Sequence, residues 1–260
     1  MIPDIYIEQW KTQAPWLTLA MIEQDMVITR ALILLYNQPK VSSSLAFRGG
    51  TALNKIFIKP ASRYSEDLDF VQIVQEPIGE TINAIRSVLD NWLGEPKRKL
   101  TERSVKLIYR YQATDSTAAK LKIEINTTEH DHVDLLKIYP FAMSSEWFTG
   151  SCNIVSYSLN ELMATKLRAL FQRRKGRDLF DLWYVLENNL IDVDKVISMF
   201  QKYCQNGNIK ISQESFQKNL EDKMKQQDFK EDIIPLLTPE INWNFDMAVK
   251  KVADELIQKL

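Results

Sequence analysis

Apolar positions along the chain change their period more than once, and those changes outline its elements. From Pro15 to Tyr36, Leu17, Met21, Ile28, Leu32 and Leu35 recur at roughly helical spacing, with Glu23, Gln24 and Arg30 between them, predicting a helix packed on a core. Pro39 and the run Ser42–Ser44 predict a loop before the apolar stretch Leu45, Ala46, Phe47. Thr51–Phe57 reads as a short helix ended by Lys59-Pro60-Ala61-Ser62, and Asp67–Val71 as a strand. Gly79–Leu93 is again helical: Ile82, Ile85, Val88, Leu89 and Trp92 keep the period, and Gly94 and Pro96 stop it.

Alternation follows. Val105, Leu107, Tyr109 and Tyr111 recur at every second residue. So do Leu121, Ile123 and Ile125, against Lys122, Glu124 and Asn126, and the turn Thr114–Thr117 predicts that the two strands form a hairpin. Ile154–Tyr157 supplies one further short strand. At Ser158 the period returns to helix. Ser158 and Glu161 have the capping-box spacing ahead of Leu162, Met163, Leu167 and Leu170. Gly176 interrupts this helix and Asp178–Leu186 resumes it, after which Val193–Leu260 is helical and polar with breaks near Gly207 and Pro235–Pro239. The predicted class is α+β: a small mixed sheet flanked by helices over residues 1–157, then a helical C-terminal domain over 158–260.

Composition changes this picture little. The length suits one large domain or two modest ones. A formal net charge of −1 gives no global attraction to nucleic acid, so any basic surface is local. Cys152 and Cys204 make no disulfide framework and read as reduced thiols of a cytosolic protein. No stretch has the apolar length of a membrane span, and the first residues lack a signal peptide's basic region and apolar core, so a cytoplasmic location is expected.

Candidate chemistry concentrates between Phe47 and Phe70. Gly49 and Gly50 stand where the apolar run gives way to the short helix; paired glycines allow positive φ and close approach to a ligand, and amides at a helix N-terminus suit a phosphate. Asp67 and Asp69, two apart on a strand, share one face while Leu68 and Phe70 point to a core. Adjacent carboxylates repel unless a cation sits between them. Magnesium, bound through carboxylates and substrate phosphates, fits that need. Glu66 alternates to the other face. Glu124 lies opposite its strand's apolar face and would join the pair if the strands are neighbours, making three carboxylates able to hold two metal ions; the alternative is a surface residue paired with Lys122. Arg63 and Ser65 precede the pair and are candidates for triphosphate contact, although Arg63 could equally neutralise Asp67.

Three further stretches carry charge. Lys166–Asp181 holds Lys166, Arg168, Arg173, Arg174, Lys175 and Arg177, then Asp178 and Asp181. Lys166 is the candidate for neutralising a triphosphate, with Asp178 and Asp181 positioning it. Glu129-His130-Asp131-His132-Val133-Asp134 holds the only two histidines, without the spacing of a zinc site, and reads as a polar loop. Lys97, Arg98, Lys99, Arg103 and Lys106 form a basic cluster able to meet a phosphate backbone, or simply a solvated surface.

The motifs Gly-Gly-Thr-Ala-Leu (Gly49–Leu53), Arg-Tyr-Ser-Glu-Asp-Leu-Asp-Phe (Arg63–Phe70), the Glu124 strand and Lys166–Asp181 together resemble the AbiEii/AbiGii nucleotidyltransferase toxins of bacterial toxin–antitoxin and phage-defence systems. They span Arg48 to Leu182, about half the chain. The interval from the glycines to Asp67 is longer than in the general nucleotidyltransferase signature, as suits this branch. The resemblance implies a polymerase-β-like nucleotidyltransferase core with a helical C-terminal domain, Mg2+-dependent transfer of a nucleotide from an NTP, and a cognate antitoxin. By motif, Gly49, Gly50 and Thr51 hold phosphates, Asp67 and Asp69 metal, Lys166 the nucleotide, and Asp178 or Asp181 completes the site. Transfer to the 3′ end of tRNA is the leading expectation. Nucleotidylation of a protein side chain, or a non-catalytic nucleotide- or antitoxin-binding module, are the alternatives.

Overall fold

The computed structural model describes residues 2–260. The chain divides into two compact units, Met1–His132 with Leu136–Tyr157, and Val133–Leu135 with Ser158–Leu260. The first contains helices α1 (Asp4–Trp10), α2 (Leu19–Tyr36), α3 (Pro39–Ser44), α4 (Gly49–Ala52, continued by a wider π turn over Leu53–Phe57) and α5 (Gly79–Leu93). Its strands are β1 (Leu45–Arg48), β2 (Asp67–Gln72), β3 (Lys97–Leu100), β4 (Ser104–Gln112), β5 (Ala118–Asn126), β6 (Lys137–Ser144) and β7 (Thr149–Ser156).

The strands form one mixed sheet in the order β3-β4-β5-β2-β1-β7-β6. β2 runs antiparallel to β1 and parallel to β5, and β4 and β5 form the predicted hairpin. The alternating apolar residues make the core: Leu68, Phe70, Val105, Leu107, Tyr109, Leu121, Ile123 and Ile125 are all buried. Helices α2 and α5 pack on this face, with the Tyr36 ring against Phe70 and the Tyr109 hydroxyl donating to Asp90 of α5. The polar residues of β2, β4 and β5 therefore share the opposite face.

Several elements differ from expectation. Pro39–Ser44 is a helix rather than a loop, because Pro39 occupies the first helical position and the hydroxyls of Ser42 and Ser43 return to the carbonyls of Pro39 and Lys40. β3 and β6 carried no apolar alternation, and both are sheet edges, where charge and even Pro140 are tolerated. The last strand is also longer than Ile154–Tyr157, reaching back to Thr149.

The second unit holds α6 (Leu159–Gln172), α7 (Gly176–Glu187), α8 (Val193–Asn206), α9 (Gln213–Met224), α10 (Gln227–Glu231) and α11 (Phe245–Glu255). Ser158 caps α6 as predicted, its hydroxyl accepting from the Glu161 amide. The Glu161 carboxylate, fully buried, instead accepts from the amides of Val133 and Asp134 and from the Tyr203 hydroxyl. That carboxylate ties residues 133–135 to the helical unit. Among the described residues, no helix is long and apolar enough to cross a membrane.

Candidate active site

Register alone assembles the acidic site. Asp69 lies opposite Arg48 of β1 and Glu124 of β5, Glu124 lies opposite Lys106 of β4, and Asp67 lies opposite Lys122. All point to the face away from α2 and α5. The Lys122 ammonium bonds Asp67 at 2.7 Å and reaches Glu124 at 3.5 Å, while Lys106 bonds Glu124 at 2.9 Å and Ser104 donates to it.

These contacts separate the three carboxylates. Burial tends to raise the Glu124 pKa, but Lys106, Lys122 and Ser104 outweigh it and hold the group below its ordinary value. Burial likewise opposes the Lys122 charge, and the bond to Asp67 with the charges of Asp67, Asp69 and Glu124 raises its pKa nonetheless. Asp69 moves the other way. Desolvation raises its pKa first, the Asp67 charge adds to this, and Lys122 and Arg48 offset only part. No described residue donates a hydrogen bond to its carboxylate. A half-buried carboxylate beside another, with no donor among the described residues, is the environment a divalent cation relieves.

Among the described residues no three His, Cys, Asp or Glu side chains converge tightly enough to hold a metal as they stand. Glu124 is drawn toward Lys106 and Lys122, so Asp67 and Asp69 would form the nearer part of a metal site, and Glu124 would join only on giving up a lysine. The residues present fit a divalent cation on those terms.

The glycines are placed by close approach. Gly49 opens α4 at φ +84°, and a Cβ there would stand 2.6 Å from Oδ2 of Asp69. A Cβ on Gly50 would strike the Arg63 guanidinium. Arg63 is only 2% exposed and donates to the Tyr64 carbonyl, so it underpins the glycine turn from inside the fold. The Thr51 hydroxyl donates to the Asp67 carbonyl at 2.6 Å and lies 2.8 Å from Ser65 Oγ. Thr51, Arg63 and Ser65, expected as phosphate contacts, thus fasten the turn to β2. The Gly49→Ala variant is expected to lose about 1–3 kcal/mol of stability through positive-φ strain and contact with Asp69. Thermal melting of wild type and variant checks this.

In the helical unit, Lys166, Asp178 and Asp181 come together as expected. The Lys166 ammonium lies 2.7 Å from Asp181 and 3.1 Å from Asp178, and all three residues are buried. Arg173 grips Asp178 through two bonds of 2.7 and 2.8 Å. Burial pushes the Asp178 carboxyl up, but Lys166 and Arg173 overcome it and hold the pKa at about 2. Lys223 of α9 donates to the Leu170 and Phe171 carbonyls near the end of α6, and burial lowers its pKa to about 8. Arg174 and Arg177 pair with Asp228 and Asp232.

Sequence reasoning did not place Arg48 or Lys106 at the acidic site, and gave Lys122 only as the alternative partner of Glu124, which it does reach while bonding Asp67. The two lysines were legible in principle, because each alternates onto the Glu124 face; Lys223 left no local signal. The histidine loop is anchored to the sheet: Glu129 pairs with Arg48 at 3.2 Å, and a His130 ring nitrogen lies 2.9 Å from the Gln72 carbonyl.

A family model described as nucleotidyl transferase AbiEii toxin, type IV toxin–antitoxin system, matches residues 33–251. Among solved structures, MenT4, a nucleotidyltransferase toxin from Mycobacterium tuberculosis H37Rv, superposes with a TM-score of 0.67 at 16% identity, covering 100% of this chain and 91% of its own. JHP933 from Helicobacter pylori gives 0.59 at 19% identity, covering 94% of each chain. A putative nucleotidyltransferase from H. pylori gives 0.57 at 19% identity, covering 94% of this chain and 96% of its own. Among curated proteins none matches. At these identities the structural likeness establishes the fold.

Proposed function

The chain belongs to the AbiEii nucleotidyltransferase toxin family, and from that premise we propose that it transfers a nucleotide from an NTP to the 3′ end of tRNA with Mg2+ as the metal. Membership makes it a transferase of a toxin–antitoxin system, with an NTP as substrate, a divalent metal as cofactor and a cognate antitoxin as counterpart. The observation supporting this site is the Asp69 carboxylate, half-buried beside Asp67, without a donor among the described residues and closely approached by Gly49.

In this reading an acceptor hydroxyl attacks the α-phosphorus, the bond to the β-phosphate oxygen breaks, and pyrophosphate leaves. A divalent ion held by Asp67, Asp69 and Glu124 supplies charge neutralisation and lowers the pKa of the hydroxyl when bound. Gly49 and Gly50 let the backbone approach the triphosphate, and the first amides of α4 are its donors. The proton lost by the hydroxyl would pass to a carboxylate of the same set.

Incubating the chain with each α-labelled NTP, Mg2+, total tRNA and cell protein tests the proposal. Label is expected in the RNA fraction for one nucleotide or a subset, and to disappear in Asp67→Asn. Label confined to protein would replace tRNA with a protein acceptor.

A further inference from the structure

The polar face that carries Asp67, Asp69 and Glu124 does not end with them. Lys106 lies opposite Lys99 of β3, Lys122 opposite Ile108 and then Lys97, and Arg110 opposite Lys120. Every second residue of these three strands points to the acidic site's side. Lys97, Lys99, Arg110 and Lys120 are exposed there, and among the described residues none has an ion-pair partner. The opposite face of β4 and β5 is buried core, packed against α5.

Charge on these strands departs from that of the whole chain. β3, β4 and β5 together hold seven Lys or Arg residues and a single acid, Glu124, in a protein whose formal net charge is −1. Lys106 and Lys122 are committed to Glu124 and Asp67, beside the metal-site candidates. Of the remaining five, the four on this face, Lys97, Lys99, Arg110 and Lys120, can meet a polyanion. With neighbouring strands about 4.8 Å apart, β3 lies roughly 14 Å from β2, so the cations extend outward from the carboxylates over the reach of a few nucleotides.

We infer that the solvent face of β3–β5 is the track on which the acceptor RNA lays its phosphate backbone, with Lys97, Lys99, Arg110 and Lys120 as its phosphate contacts. The inference rests on the RNA-acceptor reading above and adds where the acceptor lies. Its complementarity is electrostatic, so the track positions the strand without reading its bases. Arg98 sits on the same edge strand but alternates to the other side of the sheet, and so lies off the track.

The test compares the wild-type chain, Lys97→Ala/Lys99→Ala/Arg110→Ala, and Arg98→Ala. Binding of total bacterial tRNA is followed by fluorescence anisotropy across a salt series, alongside steady-state transfer. Thermal melts show that the triple variant, altered only at exposed positions, is folded. The triple variant is expected to bind tRNA at least about tenfold more weakly, with its log–log salt slope reduced by about 2–3. KM for tRNA should rise with kcat little changed, and Arg98→Ala should follow wild type. Unchanged binding and salt slope in the triple variant, with RNA still labelled, would overturn the track and leave the transferase reading standing. Equal losses in Arg98→Ala would overturn it too, because the effect would then be general charge and not the facing of the strands. Label transferred only to protein would overturn both the RNA-acceptor reading and the track.

Discussion

Asp69→Asn is expected to lower nucleotide transfer by at least about a thousandfold, the equivalent of roughly 4 kcal/mol of transition-state stabilisation. The substitution keeps the shape of the side chain beside Gly49 and removes one charge from the site. Asp69 is the member of the acidic set that no donor or bonded lysine among the described residues satisfies, so its loss is expected to strike ion binding and little else. Thermal stability should therefore be unchanged or higher, since the charge removed is repelled by Asp67 and Glu124 and raised in pKa by burial. Single-turnover transfer from an α-labelled NTP, paired with melting of the same sample, checks both halves. Asp67→Asn should lose transfer to a similar degree while also losing the 2.7 Å bond from Lys122. Transfer by Asp69→Asn within tenfold of wild type would move the chemistry off β2.

The largest expected effect on stability lies in the helical unit. Asp178→Ala removes the carboxylate shared by Lys166 and Arg173 in a buried setting. Removing one partner of a buried ion pair costs about 3–5 kcal/mol, because the remaining charge stays desolvated. Here Asp181 still holds Lys166, which places the expected loss near the lower end, about 3 kcal/mol. The pH dependence follows from the sign of the shift. The folded pKa of Asp178 is depressed to about 2, so its contribution is fully present above the ordinary aspartate value and is lost as pH falls through about 2. That contribution is worth roughly 2 kcal/mol. Urea unfolding at pH 7 and pH 2.5 should show a wide gap between wild type and Asp178→Ala at pH 7 that narrows in acid. Equal stability at pH 7 would mean that the Lys166–Asp178–Arg173 cluster contributes nothing to the fold.

The central strands were legible because one of their faces is buried. Leu121, Ile123 and Ile125 declared the inward face of β5, and by exclusion placed Glu124 with the polar set. That Glu124 meets Asp69 is a matter of register across two strands with about fifty residues between them, which no local pattern specifies. The edges were illegible for the opposite reason: Lys97–Leu100 is exposed at every position, so burial imposes no alternation on it. Gly49 and Gly50 announced a close approach. The sequence could not say that the approaching group is Asp69 on one side and Arg63 on the other, nor that Arg63 is buried. Lys166, Asp178 and Asp181 were readable as a group from the density of charge over Lys166–Asp181 and from the motif resemblance, whereas Lys223, 53 residues beyond the Leu170 carbonyl it caps, was not.

The central claim is that the β2 carboxylate pair holds the divalent ion that serves a bound NTP, and calorimetric titration of Mn2+ in the presence of a non-hydrolysable NTP analogue tests it most directly. The account predicts analogue-dependent Mn2+ binding by the wild-type chain that weakens by at least about a hundredfold in Asp67→Asn/Asp69→Asn, since loss of outer-shell partners alone costs about 10–100-fold. Identical Mn2+ binding by the wild type and the double variant, both folded, would contradict it.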